Sequence, residues 1–240
     1  MPLKAVLFDF NGVIINDESI RQSILSDLMV EENLRPKADE YWQLCLGRSD
    51  RAAMAALFEP RGRIMTDEYY QTLSDRKTTR YLDELSEYPK LPIYPGLTDL
   101  LFQLRAAHIA TAVVSGTPRA EVDYVLEQSK LADQFNAIVS GEDLTVGSPE
   151  PDGYLAAVER LNESLTTLRL TPADCLVVDD TPAGIEAAKS AGMSVVGVAN
   201  TYPFHMMQRQ ANWAVDYLSE LELDRVRQVF DGSNVRPAAG

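Results

Sequence analysis

The sequence predicts an α/β fold in which a doubly wound, Rossmann-like parallel sheet carries an inserted helical domain. From position 93 onward, short β-branched runs alternate with amphipathic helical stretches. This alternation is typical of parallel βαβ units. Between about positions 17 and 90 the chain instead has helical periodicity, many charges and no convincing strand. That segment therefore indicates a block of helices that interrupts the α/β pattern.

The predicted strands are apolar runs that end abruptly at Gly, Asp, Ser or Pro. They are Lys4–Phe8, Thr111–Val114, Ala137–Ser140, Leu176–Val178 and Val195–Ala199. Amphipathic helices are predicted between the later strands, at Leu97–Ala107, Arg119–Leu126, Tyr154–Leu161 and Ala183–Ala191. At least four βαβ units result, which is enough for an open sheet covered on both faces.

Breaks in the pattern set the predicted domain boundaries. Pro36 and the stretch 59–62 divide the helical block, and the α/β pattern resumes at 91–96. We predict a core domain of residues 1–15 and 92–240 and an inserted domain of residues 16–91, with hinges near 14–17 and 88–95. The polar residues 231–240 are expected to fray.

Composition excludes several classes of partner. The chain has 22 Lys and Arg against 36 Asp and Glu, a net charge of −14. Nucleic acids and anionic membranes bind basic surfaces, so neither is expected as a partner. A small anionic substrate stays open, because the field inside a cleft can oppose the global charge. With no membrane-length apolar stretch and no signal peptide, we expect a cytoplasmic protein, a monomer or weak dimer.

The two cysteines, Cys45 and Cys175, are too few for a disulfide scaffold in a chain of this length. Cysteine is among the residues most often buried in protein interiors. Both are expected to be buried structural thiols.

Polar clusters follow four of the predicted strands. They are residues 9–13, 115–117, 147–152 and 179–182. Each cluster alone is also typical of a turn or a helix N-terminus. Ligands of open α/β sheets bind at the carboxyl ends of strands, so four clusters at one edge favour a shared site. Adjacent Asp179 and Asp180 repel each other unless a cation joins them, and hard oxygen ligands suit Mg²⁺.

In this order and spacing, the clusters resemble the four motifs of haloacid dehalogenase-like hydrolases. The helical block after the first cluster resembles the cap of their β-phosphoglucomutase-like members. The resemblance spans positions 4 to about 200, and the run 179–193 is its most specific part.

The resemblance implies a role for each motif residue. Asp9 would be the nucleophile that forms an aspartyl-phosphate. Magnesium would be bound by Asp9, the backbone carbonyl of Asn11, Asp180 and, directly or through water, Asp179. The phosphoryl group would be held by Ser115, Gly116, Asn11 and Gly12.

In the cap, the run 46–50 resembles the substrate-specificity loop of the β-phosphoglucomutase-like members. The resemblance implies that Arg48 contacts a second phosphate, a carboxylate or sugar hydroxyls. The alternative is that Arg48 is a solvated arginine beside a turn.

Two positions depart from the family pattern. The second aspartate of the first motif, the general acid and base, is Asn11 here, and an amide cannot transfer that proton. Positioned proton transfer is worth ~10²–10⁴ in rate. The lysine of the third motif is Ser148, which removes a charge-assisted contact of roughly 1.5–3 kcal/mol. One change removes a negative group and the other a positive group, so the formal site charge is unchanged.

Nearby residues offer substitutes for the two missing groups. Asp17 or Glu18 could supply the proton, although acidic residues also favour the first turn of a helix. Arg119 could replace the lysine, although it could equally be an exposed first-turn residue. His205 lies beyond the motifs and is interpreted as structural.

The predicted function is Mg²⁺-dependent hydrolysis of a small phosphorylated metabolite. The favoured substrate class is a sugar phosphate. One alternative is β-phosphoglucomutase-like phosphotransfer, which Asn11 disfavours because mutases must move protons to and from hydroxyls. The other is a catalytically weak protein that binds a phosphorylated metabolite, which Asn11 and Ser148 favour. A true haloacid dehalogenase is disfavoured, because that reaction needs no magnesium and this chain keeps Asp179 and Asp180.

Overall fold

A computed structural model describes residues 2–232, and these contain one six-stranded parallel sheet. The strands in chain order are β1 (Ala5–Asp9), β2 (Ala110–Val114), β3 (Ala137–Val139), β4 (Cys175–Asp179), β5 (Ser194–Val198) and β6 (Trp213–Val215). Across the sheet they lie in the order β3-β2-β1-β4-β5-β6. The predicted doubly wound sheet is confirmed. β1 lies in the middle of the sheet, between β2 on one side and β4 on the other.

Five of these strands were predicted to within one or two residues, which is the usual uncertainty of an element boundary. The sixth, β6, was not predicted. It has only three residues, so no alternating pattern is long enough to be recognised.

Six helices flank the sheet among the described residues. They are α5 (Leu97–Ala106), α6 (Arg119–Gln128), α7 (Asp152–Ser164), α8 (Pro182–Ser190), α9 (Phe204–Gln210) and α10 (Leu223–Phe230). The four helices predicted in this region are confirmed as α5 to α8. None of the described helices is long and apolar enough to cross a membrane.

Side chains of the strands alternate between two apolar layers. On one face, Phe8 and Val178 pack with α5, α6 and α10, and this layer continues into the helices of residues 18–86. On the other face, Leu7 and Val177 pack with α7, α8 and α9. Phe8 is fully buried, so its truncation to alanine should cost about 3–5 kcal/mol. The sheet is thus held rigidly on both sides.

Residues 16–91, called the helical insert from here on, contain helices and no strand within the described chain. The helices are α1 (Glu18–Glu31), α2 (Glu40–Leu44), α3 (Asp50–Phe58) and α4 (Asp67–Ser86). Ser49 and Thr66 cap α3 and α4, because their side chains accept the N–H groups of Ala52 and Tyr69. The helical character predicted for this segment is confirmed. We propose the insert as a separate cap domain.

Both cysteines are buried and free, as predicted. The fraying expected for 231–240 lies, from residue 233 onward, outside the described residues.

Candidate active site

Three aspartates meet where β1 and β4 end. Phe8 pairs with Val178 in the register of these strands, so Asp9 and Asp179 end neighbouring strands side by side. Asp180 follows directly. One carboxylate oxygen from each of Asp9, Asp179 and Asp180 lies within 4.8 Å of the others. The sequence predicted a shared site of four polar clusters, and two of them, 9–13 and 179–182, supply this triad.

Burial makes this cluster electrostatically unfavourable without a cation. Burial, followed by the charges of Asp179 and Asp180, raises the pKa of Asp9 well above its usual value. Burial and the charge of Asp179 likewise raise the pKa of Asp180 well above its usual value. The pKa of Asp179 is also raised by burial, against hydrogen bonds from Tyr154 and Thr181. A divalent cation among the three carboxylates would remove this repulsion.

The donor set fits magnesium. Both oxygens of Asp180 are buried and have no hydrogen-bond partner among the described residues, so they are free to act as ligands. Gly12, at φ +81°, provides the space, because a Cβ there would lie 2.0 Å from Oδ2 of Asp180. Mg²⁺ is usually bound by one or two carboxylates together with water and phosphate oxygens. Asp9, Asp180 and Asp179 are the residues that would hold it.

Gly12 was expected to bind phosphate, but its backbone groups are hydrogen-bonded within the protein. Its N–H donates to the carbonyl of Ile15 at 2.9 Å, and its own carbonyl accepts from the amide of Asn200 at 2.7 Å. Gly12 does not line the adjacent cavity. Its contribution is the room it leaves for Asp180, and this geometry does not support a phosphate contact through Gly12.

A small cavity of about 40 Å³ lies beside the aspartates. This volume holds a few water molecules, so it has room for a group the size of a phosphoryl. The expected site residues that line the cavity are Asp9, Asn11, Arg48, Ser115, Gly116, Ser148 and Asp179.

Ser115 presents a fixed hydroxyl to the cavity. Its Oγ lies 2.6 Å from Oγ1 of Thr117 and accepts the Thr117 N–H at 3.1 Å. Both side chains are buried. A hydroxyl held in this way can donate to an oxygen of a ligand in the cavity without first being ordered.

The side chain of Asn11 is held by Asp17. Its amide nitrogen donates to Oδ2 of Asp17 at 2.8 Å, and the hydroxyl of Tyr81 donates to the same oxygen at 2.5 Å. Burial raises the pKa of the fully buried Asp17 to about 6, although Arg21 and these two hydrogen bonds lower it. Asp17 therefore lies behind Asn11 and does not line the cavity.

Of the two carboxylates considered as substitute acids, Glu18 alone lines the cavity. It begins α1, and its oxygens accept hydrogen bonds from Nη1 of Arg21 at 3.1 Å and from the hydroxyl of Tyr41. Glu150, which is exposed, also lines the cavity.

The helical insert closes over the cavity. The N–H of Asp50 donates to the carbonyl of Gly116 at 2.9 Å, and Oγ of Ser49 donates to the carbonyl of Val146 at 3.1 Å. A Cβ at position 116 would lie 2.5 Å from Cα of Ser49. Glycine at position 116 is therefore what permits this close approach.

A buried ionic cluster that was not predicted lies next to the cavity. Asp50 accepts from Nη2 of Arg21 at 3.0 Å and from Nζ of Lys77 at 2.6 Å, and Lys77 also donates to Glu121 at 2.6 Å. The sequence does contain a signal. Arg21 shares the buried face of α1 with Ile24 and Leu28, and Lys77 shares that of α4 with Leu73, Tyr81 and other buried residues. A cation at helical spacing on an apolar face needs a buried partner.

The two arginines considered for substrate contacts differ. Arg48 lines the cavity, and its exposed side chain has no hydrogen bond or ion pair among the described residues. The suggestion that Arg119 replaces the missing lysine is wrong. Its guanidinium is bound to Asp123 at 2.7 Å, its side chain is 47% exposed, and it does not line the cavity. His205, which is exposed, does not line it either.

Comparisons with known proteins agree with this geometry. The family model for haloacid dehalogenase-like hydrolases matches residues 3–192. The β-phosphoglucomutase of Bacillus subtilis is 28% identical over 235 residues, which cover 98% of each chain. The validoxylamine A 7'-phosphate phosphatase of Streptomyces hygroscopicus is 27% identical over 205 residues, 83% of this chain and 87% of the relative.

Among solved structures, the β-phosphoglucomutase of Clostridium difficile superposes with a TM-score of 0.82 at 22% identity. The match covers 98% of this chain and 100% of that one.

Proposed function

This chain belongs to the haloacid dehalogenase-like hydrolases, and on that basis we propose that it is a magnesium-dependent phosphatase for a small phosphorylated metabolite, a sugar phosphate. The observation that carries the proposal is the triad of Asp9 and the buried Asp179 and Asp180 beside a cavity with room for a phosphoryl group. A relative that acts on a phosphorylated metabolite, the validoxylamine A 7'-phosphate phosphatase, supports it.

We propose Asp9 as the nucleophile. Its Oδ1 accepts the N–H of Phe10 at 2.8 Å, which leaves Oδ2 available for attack on phosphorus. The new bond between Oδ2 and phosphorus forms as the bond to the leaving oxygen breaks, and a water molecule later hydrolyses the aspartyl-phosphate. Bound magnesium would supply positive charge that offsets the repulsion between the carboxylates and the phosphate oxygens. Ser115 and the backbone at Gly116 would fix those oxygens in line.

Proton transfer is the weak part of this mechanism. The amide of Asn11 is bound to Asp17, and an amide has no proton to give to a leaving alkoxide. Glu18 lines the cavity, so we assign it ahead of Asp17 as the carrier of this proton. The expected consequence is slow turnover of substrates whose leaving oxygen is strongly basic.

Arg48 is proposed to read the part of the substrate that is not transferred. Its guanidinium has no protein partner among the described residues, and Arg48 lines both the cavity and an outer groove next to Pro149 and Glu186. A guanidinium at this boundary can bind a sugar hydroxyl or a second anionic group while the phosphoryl group occupies the cavity.

A second candidate function is binding of a phosphorylated metabolite with little turnover. The hydrogen bond between Asn11 and Asp17 favours it, because it fixes the amide in place of an acid and base. The same bond disfavours mutase chemistry, in which protons must move to and from two hydroxyls.

A panel of sugar phosphates together with p-nitrophenyl phosphate, assayed with Mg²⁺ and with EDTA, tests the proposal. We expect Mg²⁺-dependent release of phosphate, faster for the aryl ester, and none from D9N. Tight binding of a sugar phosphate without turnover of either ester would favour the second candidate. Turnover that persists in D9N would contradict the role of Asp9.

A further inference from the structure

Arg21 is a buried cation that lines the same cavity as Asp9 and Ser148. Arg21 is 5% exposed. Its guanidinium makes two hydrogen bonds to carboxylates of the protein. Nη1 donates to Glu18 at 3.1 Å and Nη2 donates to Asp50 at 3.0 Å. These two bonds fix the plane of the guanidinium, which is therefore preorganised for a ligand.

The third nitrogen of this guanidinium, Nε, is buried and has no hydrogen-bond partner among the described residues. An unsatisfied N–H on a buried charged group is unfavourable. Proteins keep such groups where a ligand or water satisfies them. Arg21 also lines the cavity, so we take a ligand bound there as the candidate for that partner.

The cavity otherwise has little positive charge. Arg48 is the other cation that lines it among the described residues, and it is exposed to solvent. Ser148 stands where the family pattern has a lysine. A phosphoryl group entering beside Asp9 and Asp179 would therefore meet carboxylates and few cations unless Arg21 takes part.

We infer that Arg21 binds an oxygen of the transferring phosphoryl group and so replaces the cation that is missing at position 148. The inference rests on the proposed function, and it adds a residue from the helical insert to the phosphate site. Arg21 is a catalytic residue in this assignment, because it touches the group being transferred.

Asp50 and Lys77 are the positioning residues for Arg21. Asp50 binds Arg21 and Lys77 together, and Lys77 in turn binds Glu121 of α6. This chain of ion pairs connects α1, α3 and α4 of the insert to the core. Arg21 consequently reaches its position over the cavity when the insert lies against the core.

Orthophosphate binding in the presence of Mg²⁺ tests the inference without requiring turnover. Calorimetry would compare wild type with R21M, R21Q and R119M, whose arginine is exposed and outside the cavity. We expect the dissociation constant to rise roughly tenfold to a hundredfold in R21M and R21Q and to stay unchanged in R119M. Adding S148K to R21M should recover most of the lost affinity, because it returns a cation to the same site.

Phosphate affinity in R21M within twofold of wild type would overturn the inference, as would a failure of S148K to rescue it. Because Arg21 is buried, melting curves must show that each variant is folded. If neither Arg21 variant folds, a crystal structure of the wild type with Mg²⁺ and orthophosphate decides. A phosphate oxygen at a hydrogen-bond distance of about 3 Å from a nitrogen of Arg21 supports the inference, and a phosphate without that contact overturns it.

This experiment separates two failures. If wild type binds orthophosphate but hydrolyses no ester, the phosphatase proposal fails while the role of Arg21 is still measured. If esters are hydrolysed at equal rates by wild type and R21M, and phosphate affinity is also equal, the role of Arg21 fails alone.

Discussion

The side-chain amide of Asn11 donates a hydrogen bond of 2.8 Å to the carboxylate of Asp17. Asp17 is fully buried and has one oxygen without any partner among the described residues. It therefore depends on the two donors it has, Asn11 and Tyr81. The residue at position 11 is thus tied to the residue at position 17, and the two should be changed together.

N11D should destabilise the protein, because it removes a donor from Asp17 and places a second carboxylate against it. The loss should be about 1–3 kcal/mol in the free energy of unfolding. N11D/D17N should recover most of this loss, since the amide and the carboxylate only exchange places. Urea unfolding at pH 7 measures both variants.

The same double variant should hydrolyse a sugar phosphate faster than wild type, by up to ~10²–10⁴, because it returns a proton carrier to position 11. p-Nitrophenyl phosphate is the control, since its good leaving group gains much less. An equal acceleration of both esters would contradict the assignment of position 11 to proton transfer.

Magnesium should raise the melting temperature of wild type, because it binds the native state and offsets repulsion among Asp9, Asp179 and Asp180. In D180N this response should be lost. In EDTA, D180N should melt above wild type, since it removes one buried charge whose oxygens have no hydrogen-bond partner among the described residues. Differential scanning fluorimetry with and without Mg²⁺ measures both effects. A wild type that does not respond to millimolar Mg²⁺ would show that the metal assignment is wrong.

Arg48→Ala should raise KM for the best sugar phosphate by roughly tenfold or more, the loss of one charge-assisted contact. p-Nitrophenyl phosphate has no sugar hydroxyl or second anionic group for Arg48 to bind, so its KM should change by less than about threefold. Arg119→Ala is the matched control and should leave both substrates unaffected, because Arg119 does not line the cavity. An equal loss on both esters in Arg48→Ala would point to altered folding instead.

Lys77→Met should be one of the most destabilising single substitutions in the protein. Lys77 is fully buried between Asp50 and Glu121, and its removal leaves their buried charges with less compensation. The expected cost is about 3–5 kcal/mol. Adding E121Q should cost less than the sum of the single changes, because both act on one ion pair. Urea unfolding of the two single variants and the double variant measures this coupling, and strict additivity would contradict it.

Stability should depend on Asp143 at low pH. Burial raises the pKa of Asp143, but hydrogen bonds from Arg160 and Ser140 outweigh it and lower the pKa to about 2. The folded state therefore favours the ionised form more than the unfolded state does. This contribution is present above pH 4 and is lost as the pH falls from about 4 towards 2.

Wild type should consequently exceed D143N in stability by roughly 1–2 kcal/mol at pH 7, after allowance for solvent screening. The difference should shrink below pH 4. D224N is the control, because the side chain of Asp224 is 91% exposed. A gap between wild type and D143N that is constant down to pH 2.5 would contradict the prediction.

The sheet and most of the site could be predicted because their signals are local. A β-branched run followed at once by Asp9, or by Asp179, marks both a strand and its carboxyl end, and the topology then brings such ends together. The position of Arg119 could not be predicted in this way. First-turn residues of α6 point in several directions, and only packing decides which of them face the cavity.

Arg21 and Lys77 represent an intermediate case. Their helical spacing shows that they lie on apolar faces, but their partner Asp50 is 29 residues from Arg21 and 27 from Lys77 along the chain. Pairings of that separation are fixed by how helices pack against one another, and a single sequence does not contain that information.

The contact between Asp50 and Gly116 has a kinetic consequence. If the proposed substrate enters between the helical insert and the core, it passes where the N–H of Asp50 is bound to the carbonyl of Gly116. On that route each cycle would break this bond and the neighbouring one from Ser49 to Val146, and then form both again. Turnover would then not exceed the frequency of these openings, and orthophosphate would leave only during one of them. Slow egress of orthophosphate would then produce product inhibition even if the bond-breaking step were fast.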